Sequence, residues 1–146
     1  MNIAIASDHG GFELKQQLIE HFAAKGQILE DLGTCSTDSC DYPDIAKKMA
    51  KNILNHQNEL GILICGTGIG ISMAANKVKG IRAACCSDYF SAKYTRLHND
   101  ANVLCLGARV IGAGAALELV DVFLNTEFEG GRHQRRVDLI TAIENE

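Results

Sequence analysis

The stretch ILICGTGIG, residues 62–70, runs an apolar segment into Gly66, Gly68 and Gly70 and places a cysteine, Cys65, at the junction. A short apolar run closed by glycines reads as a buried strand, and the glycines as a tight turn into the next helix. Strand, turn and helix in succession are the unit of a parallel sheet. Consecutive backbone N–H groups at such a turn, with glycines allowing close approach, make a site for an anion or a developing oxyanion.

Three familiar glycine loops are tested by spacing. A dinucleotide fingerprint requires G-x-G-x-x-G after a first strand, whereas here the glycines run G-x-G-x-G after a third. A phosphate-binding Gly-Lys-Ser/Thr is absent, and the Arg that a phosphatase loop places six residues after its cysteine is replaced by Ile71. The remaining reading is an oxyanion cradle with Cys65 at its edge. The positive end of a helix favours a thiolate, which serves as nucleophile or general base. The alternative is a small apolar residue at a strand end, the reading given also to Cys85, Cys86 and Cys105.

Outward from this stretch, the same alternation recurs. Strands are expected at NIAIAS (2–7), QILEDL (27–32), LGILIC (60–65), IRAACC (81–86) and NVLCLG (102–107). Helical spacing appears in Phe12, Leu14, Leu18, Ile19 and Phe22, and again in Ile45, Met49, Ile53 and Leu54. ISMAANKV is a short helix, and DYFSAKYTRLHN a further one with Phe90, Tyr94 and Leu97 on one face. AALELVDVFLN and RRVDLITAIEN follow with no strand between them, so the last helix is left without a place against the sheet. This predicts an α/β fold, three-layer and Rossmann-like: a five-stranded parallel sheet with helices on both faces and an extra C-terminal helix. By analogy with flavodoxin-like folds the strand order is taken as 2-1-3-4-5. The crevice then opens between strands one and three, where SDHGG (7–11) and the glycine turn meet.

A chain of 146 residues with 47% apolar and 22% charged residues and a single proline is expected to form one domain over residues 1–146. A net charge of −4 supplies no broad basic face, which argues against nucleic acid as a partner. No apolar run approaches the roughly 20 residues that a membrane span needs, and the N-terminus has no signal-peptide pattern, so no membrane partner and a cytoplasmic location are expected. The six cysteines are then expected as thiols.

Other residues have two readings each. Asp8 and His9 stand beyond the first strand, where they bind sugar hydroxyls or phosphate, or Asp8 merely caps the helix. His98, ending its helix, is a favourable partner of the helix dipole or an acid. Arg132 and Arg136, four apart and so on one helical face, fork a phosphate or form a solvated charged face. The histidines form no HxH, HxxE or HExxH pattern and there is no CxxC, so no metal is expected.

Taken in order, SDHGGFELK, DYP, GILICGTGIGISMAANK, GIRAA, HNDANVL, GARV and EGGRHQRRV resemble the ribose/galactose isomerase family over nearly the whole chain. The resemblance implies an aldose–ketose isomerase acting on ribose 5-phosphate and ribulose 5-phosphate through a cis-enediolate, without metal or organic cofactor. It implies Cys65 as the base between C1 and C2, and Gly66, Gly68, Ile69 and Gly70 as the N–H cradle, with Thr67 within reach of substrate oxygens. It implies His98 in ring opening, and Asp8, His9, Tyr42 and Asn99 on the sugar. Arg132 and Arg136, aided by Arg109 and His9, form the implied phosphate clamp. One branch of the family carries a glutamate after the third glycine in place of the cysteine. Here that position is Ile71 and the cysteine is present, so the resemblance assigns the base to Cys65. It further implies a homodimer or dimer of dimers whose site is assembled from two chains, with Arg132 or His98 reaching the Cys65 of the other. Two alternatives stand beside this reading: the same chemistry on a six-carbon sugar phosphate, and a non-catalytic phosphate- or nucleotide-binding module.

Overall fold

The computed structural model describes residues 1–146. In chain order the elements are β1 (Ile3–Ser7), a 3-10 turn (His9–Gly11), α1 (Phe12–Ala24), β2 (Leu29–Asp31), α2 (Tyr42–Leu54) and β3 (Leu60–Cys65). There follow α3 (Ile69–Asn76), β4 (Ala83–Cys85), α4 (Tyr89–Asn99), β5 (Val103–Gly107), α5 (Ala113–Leu124) and α6 (Arg132–Ile143).

All strand pairs are parallel, and the sheet has five strands in the order β2-β1-β3-β5-β4. The expected sheet, with helices on both faces and a leftover C-terminal helix, is present. Its expected order is corrected at one edge, because β5 and not β4 lies beside β3. Burial explains the exchange. Every residue of β5 is buried, as suits an interior parallel strand, whereas β4 has three residues, half-buried or exposed, and takes the edge.

Alternate residues face opposite sides, so each interior strand feeds two cores. Ile5, Ile62, Ile64 and Leu104 pack with Leu18 and Phe22 of α1 and with Phe123 of α5. Ala6, Leu63, Cys65 and Cys105 pack on the other face with Met49 of α2 and Ile71 of α3. Each fully buried large side chain contributes about 1.5–3 kcal/mol relative to exposure. The second face is lined by small residues, and α2 comes close: a Cβ added to Gly61 would lie 2.5 Å from Met49 Sδ.

Polar contacts close the ends. Lys15 is fully buried, with its Nζ donating to Asp31 Oδ1 at 2.6 Å and to the Thr34 carbonyl at 2.7 Å, which ties α1 to the loop after β2. Asp88 caps α4 by accepting the Ser91 N–H at 2.8 Å, and this bond holds its carboxyl below the usual range. At the far end of α4, Asp100 has φ 47° and takes Arg82 at 3.1 Å and Arg96 at 2.9 Å.

Phe90 and Tyr94 share a face of α4, as their spacing predicts, but that is not the face the helix buries. Its buried residues are Ala92 and Thr95, while Phe90 is 66% exposed. Phe90 and Tyr94 stack on each other outside the core at 4.1 Å, because the small residues are the ones that admit the helix to the sheet. Helix α6 rests on α4 through buried His133 and Val137, and leaves Leu139, Ile140 and Ile143 exposed.

The glycine turn lies directly on β5, where a Cβ on Gly107 would sit 2.5 Å from the Thr67 carbonyl oxygen. The Thr67 atoms it would meet belong to backbone and a Cβ is fixed to its own, so neither can step aside. Gly107→Ala is expected to lower stability by about 1–3 kcal/mol in urea unfolding, as an overpacked core does. An unchanged midpoint and slope would contradict this account of the contact.

Candidate active site

The carboxyl ends of β1 and β3 bring the two sequence motifs together. The Asp8 N–H donates to the Ile64 carbonyl at 3.1 Å, and a Cβ on Gly11 would meet Ile64 Cγ2 at 2.6 Å, so the 3-10 turn lies against β3. Asp8 Oδ1 accepts the N–H groups of Gly10 at 2.9 Å and Gly11 at 3.2 Å. Asp8 therefore caps, and its carboxylate also walls a cavity of about 370 Å³ lined by Tyr42, Cys65, Gly66, Thr67, Ile69 and Gly70.

Gly68 turns the chain with φ 78° and donates its N–H to Cys65 Sγ at 3.1 Å. Thr67 Oγ1 accepts the Ile69 N–H at 3.1 Å. The N–H groups of Gly66, Thr67 and Gly70 have no acceptor within the chain, and they stand at the start of α3, where the helix dipole adds positive potential. Cys65 is buried at 4% exposure, with its sulfur facing the N–H of Gly68.

The remaining cleft residues frame this turn. The Arg109 N–H donates to the Gly66 carbonyl at 3.0 Å, and its guanidinium Nη1 would be 3.5 Å from a Cβ on Gly66. His9 Nδ1 accepts the Cys40 N–H at 3.2 Å, so a neutral His9 carries its proton on Nε2. The Tyr42 ring occupies the space beside Gly70, with Cζ 2.7 Å from where a Cβ would be. All six cysteines are free thiols, but they differ in environment. Burial pushes the Cys105 thiol well up and Cys86 to about 11, while burial and then the neighbouring Cys65 raise exposed Cys85.

His98, Asn99, Arg132 and Arg136 are not in this cleft. The strands end together at Ser7, Cys65 and Gly107, and α4 runs back to their starts. Arg82, which leads into β4, donates through Nε to the carbonyls of Asn99 at 3.1 Å and Asp100 at 3.0 Å. The two groups are thus separated within one chain by about the length of a strand, roughly 15 Å. In the second group His98 Nε2 lies 3.7 Å from Glu129 Oε2, and its ring stacks on His133 at 4.0 Å. Arg132 and Arg136 sit exposed in the first turns of α6, helical as the spacing predicted.

Glu129 and His133 were not singled out by sequence reasoning. His133 is buried, and burial followed by the charge of His98 holds its imidazole below the usual value. The signal available was a glutamate four residues before a histidine, a spacing outside the metal patterns searched. Ligand atoms of His98, Glu129 and His133 lie within 4.8 Å of one another.

No helix is long and apolar enough to cross a membrane. The family model for ribose/galactose isomerase matches residues 3–140. Ribose-5-phosphate isomerase B of Escherichia coli is 49% identical over 142 residues, which is 97% of this chain and 95% of that protein. Among solved structures, ribose-5-phosphate isomerase B of Clostridium thermocellum superposes with TM-score 0.97 at 49% identity, covering 99% of this chain and 98% of that one. The enzyme of the same name from Mycoplasma genitalium, solved with bound ribulose 5-phosphate, gives TM-score 0.93 at 48% identity over 99% and 97% of the two chains. With a matched model spanning nearly every residue and relatives half identical from end to end, the chain belongs to the ribose/galactose isomerase family.

Proposed function

We propose that this chain interconverts D-ribose 5-phosphate and D-ribulose 5-phosphate through a cis-enediolate. The observation that carries the reading is the turn at residues 66–70, where unpartnered N–H groups surround a buried sulfur that already accepts one. The relatives named above act on or hold this substrate pair, at close to half identity.

In this reading Cys65 thiolate removes the proton from C2 of the open-chain aldose and returns it to C1. O1 gains a proton and O2 loses one. Electrons stay within the substrate, so no redox cofactor is required, and the N–H cradle takes the charge that a Lewis-acid metal would otherwise bear. Negative charge on the enediolate oxygens is met by the N–H groups of Gly66, Thr67, Gly68, Ile69 and Gly70, with the Thr67 hydroxyl alongside. Removing one such donor from a comparable hole costs about 2.7–4 kcal/mol of barrier, so a cradle of several is a dominant part of the catalysis.

His98 opens the furanose ring in this scheme, with Asp8, His9, Tyr42 and Asn99 on the sugar. The phosphate goes to Arg132 and Arg136, aided by Arg109 and His9. Placing guanidinium groups in the first turns of α6 sets positive side chains against the positive end of a helix, an unfavourable arrangement that a bound dianion reverses.

Because the two groups stand at opposite ends of one sheet, the scheme needs a second chain. We infer a homodimer, or a dimer of dimers, in which the cleft of one protomer is closed by α4 and α6 of its partner. Exposed Ile69 and Met73 beside the cleft and Leu139 and Ile143 on α6 suit such a contact.

A panel of five- and six-carbon aldose phosphates is expected to show fastest turnover of ribose 5-phosphate, unchanged by chelator. Preference for a six-carbon substrate would overturn the substrate assignment, and loss of activity with chelator the metal-free chemistry. Cys65→Ala and His98→Ala proteins should each be slowed, the first by roughly a hundred- to ten-thousand-fold. Unfolding and refolding them together should restore about a quarter of wild-type activity, because half of random dimers would carry one intact site. No recovery would contradict the shared site.

A further inference from the structure

We propose that His98, Glu129 and His133 form a site for a transition-metal ion of the Zn2+, Co2+ or Ni2+ kind, and that its occupation inhibits the isomerase. The inhibitory half rests on the role given to His98 above; the site itself does not.

The three residues come from the last turn of α4 and from the entry to α6, and their ligand atoms lie within 4.8 Å of one another. His98 Nε2 and Glu129 Oε2 are already 3.7 Å apart. The His133 ring lies flat beside His98, with 4.0 Å between centroids and 11° between planes. His133 is 7% exposed, and its Nε2 is fully buried without any hydrogen-bond partner. A buried polar nitrogen left unsatisfied is costly, and the ring that carries it has a ligand atom within 4.8 Å of a second imidazole and a carboxylate, a set that a cation can join.

Two imidazoles and one carboxylate are the donor set of a borderline ion. Mg2+ and Ca2+ prefer more ligands, all oxygen. Tetrahedral bonds of 2.0–2.1 Å require ligand atoms about 3.3 Å apart. Stacked rings direct their nitrogen lone pairs along parallel planes, so the closure needed falls to exposed Glu129 and to half-buried His98, whose ring turns out of the stack to meet the ion. Arg132 and Arg136 stand on the same helix as His133, so their charge moderates affinity for a cation. A nitrogen held by metal cannot pass a proton to a sugar oxygen, and that is the basis of inhibition.

The test uses the full chain, stripped of metal and kept reduced with a phosphine. Titration with Co2+ is expected to give one equivalent per chain, with visible absorption and no thiolate charge-transfer band. Glu129→Gln and His133→Gln should each weaken binding by about tenfold or more. Cys65→Ala should bind as wild type does, and Mg2+ should not compete. Zn2+ should inhibit wild-type turnover of ribose 5-phosphate, reversibly with chelator, and at least tenfold less potently in Glu129→Gln. Since Glu129 is exposed, that variant tests the site even if His133→Gln fails to fold. Undiminished binding in Glu129→Gln, or loss in Cys65→Ala, overturns the site in favour of the thiols. Binding that follows the variants yet leaves turnover intact overturns the inhibition, and with it the role of His98. Absence of binding overturns the site alone and leaves the isomerase reading standing.

Discussion

Gly68 has no room for a side chain, and the geometry around Cys65 follows from that. Its φ of 78° is one that L side chains rarely adopt, and a Cβ there would lie 2.8 Å from the backbone carbon of Leu106. The turn can therefore press onto β5, where Gly107 returns the same concession to Thr67. Two backbones in contact fix where α3 starts, and they aim the Gly68 N–H at the sulfur of the preceding strand. A side chain at either glycine would lift the turn and open the cradle. The constraint links sequence to chemistry through one hydrogen bond.

The rest of the site is governed by topology. Parallel strands end together, so everything contributed by strand ends and the loops after them meets at one edge: Asp8, His9, Cys65 and Arg109. Residues at the end of a returning helix meet at the other edge: His98, Asn99 and, through α6, Arg132 and Arg136. No rearrangement of loops carries one set to the other across a five-stranded sheet. The symmetric second copy proposed above would do so without distortion, because a two-fold axis sets the same pair of surfaces face to face twice. In the proposed dimer the final helix, unneeded by the sheet, brings the guanidinium groups to that contact.

Legibility in the sequence followed how local the determining physics was. The bounds of β3, Leu60–Cys65, are the ones read from an apolar run ending in glycine. The cleft at β1 and β3 was legible because two glycine-rich turns carried polar residues at strand ends. The order of β4 and β5 was not, since IRAACC and NVLCLG are similarly apolar and the choice of edge depends on which strand the helices leave uncovered. The shared face of Phe90 and Tyr94 on α4 was legible from helical spacing, but not that it lies outside the core, where the two rings stack toward His98. His133 was hidden among arginines, and only packing shows it buried against His98.

The central claim is that Cys65 moves the proton between C2 and C1, and hydrogen exchange reads this step apart from ring opening and product release. Ribose 5-phosphate is incubated in deuterium oxide with wild-type or Cys65→Ala protein, and loss of the C2 hydrogen is followed by proton NMR. The account predicts that deuterium enters C2 of the aldose and C1 of the ketose with the wild type, and that Cys65→Ala binds the sugar phosphate without exchanging it. Exchange by Cys65→Ala at the wild-type rate would contradict it.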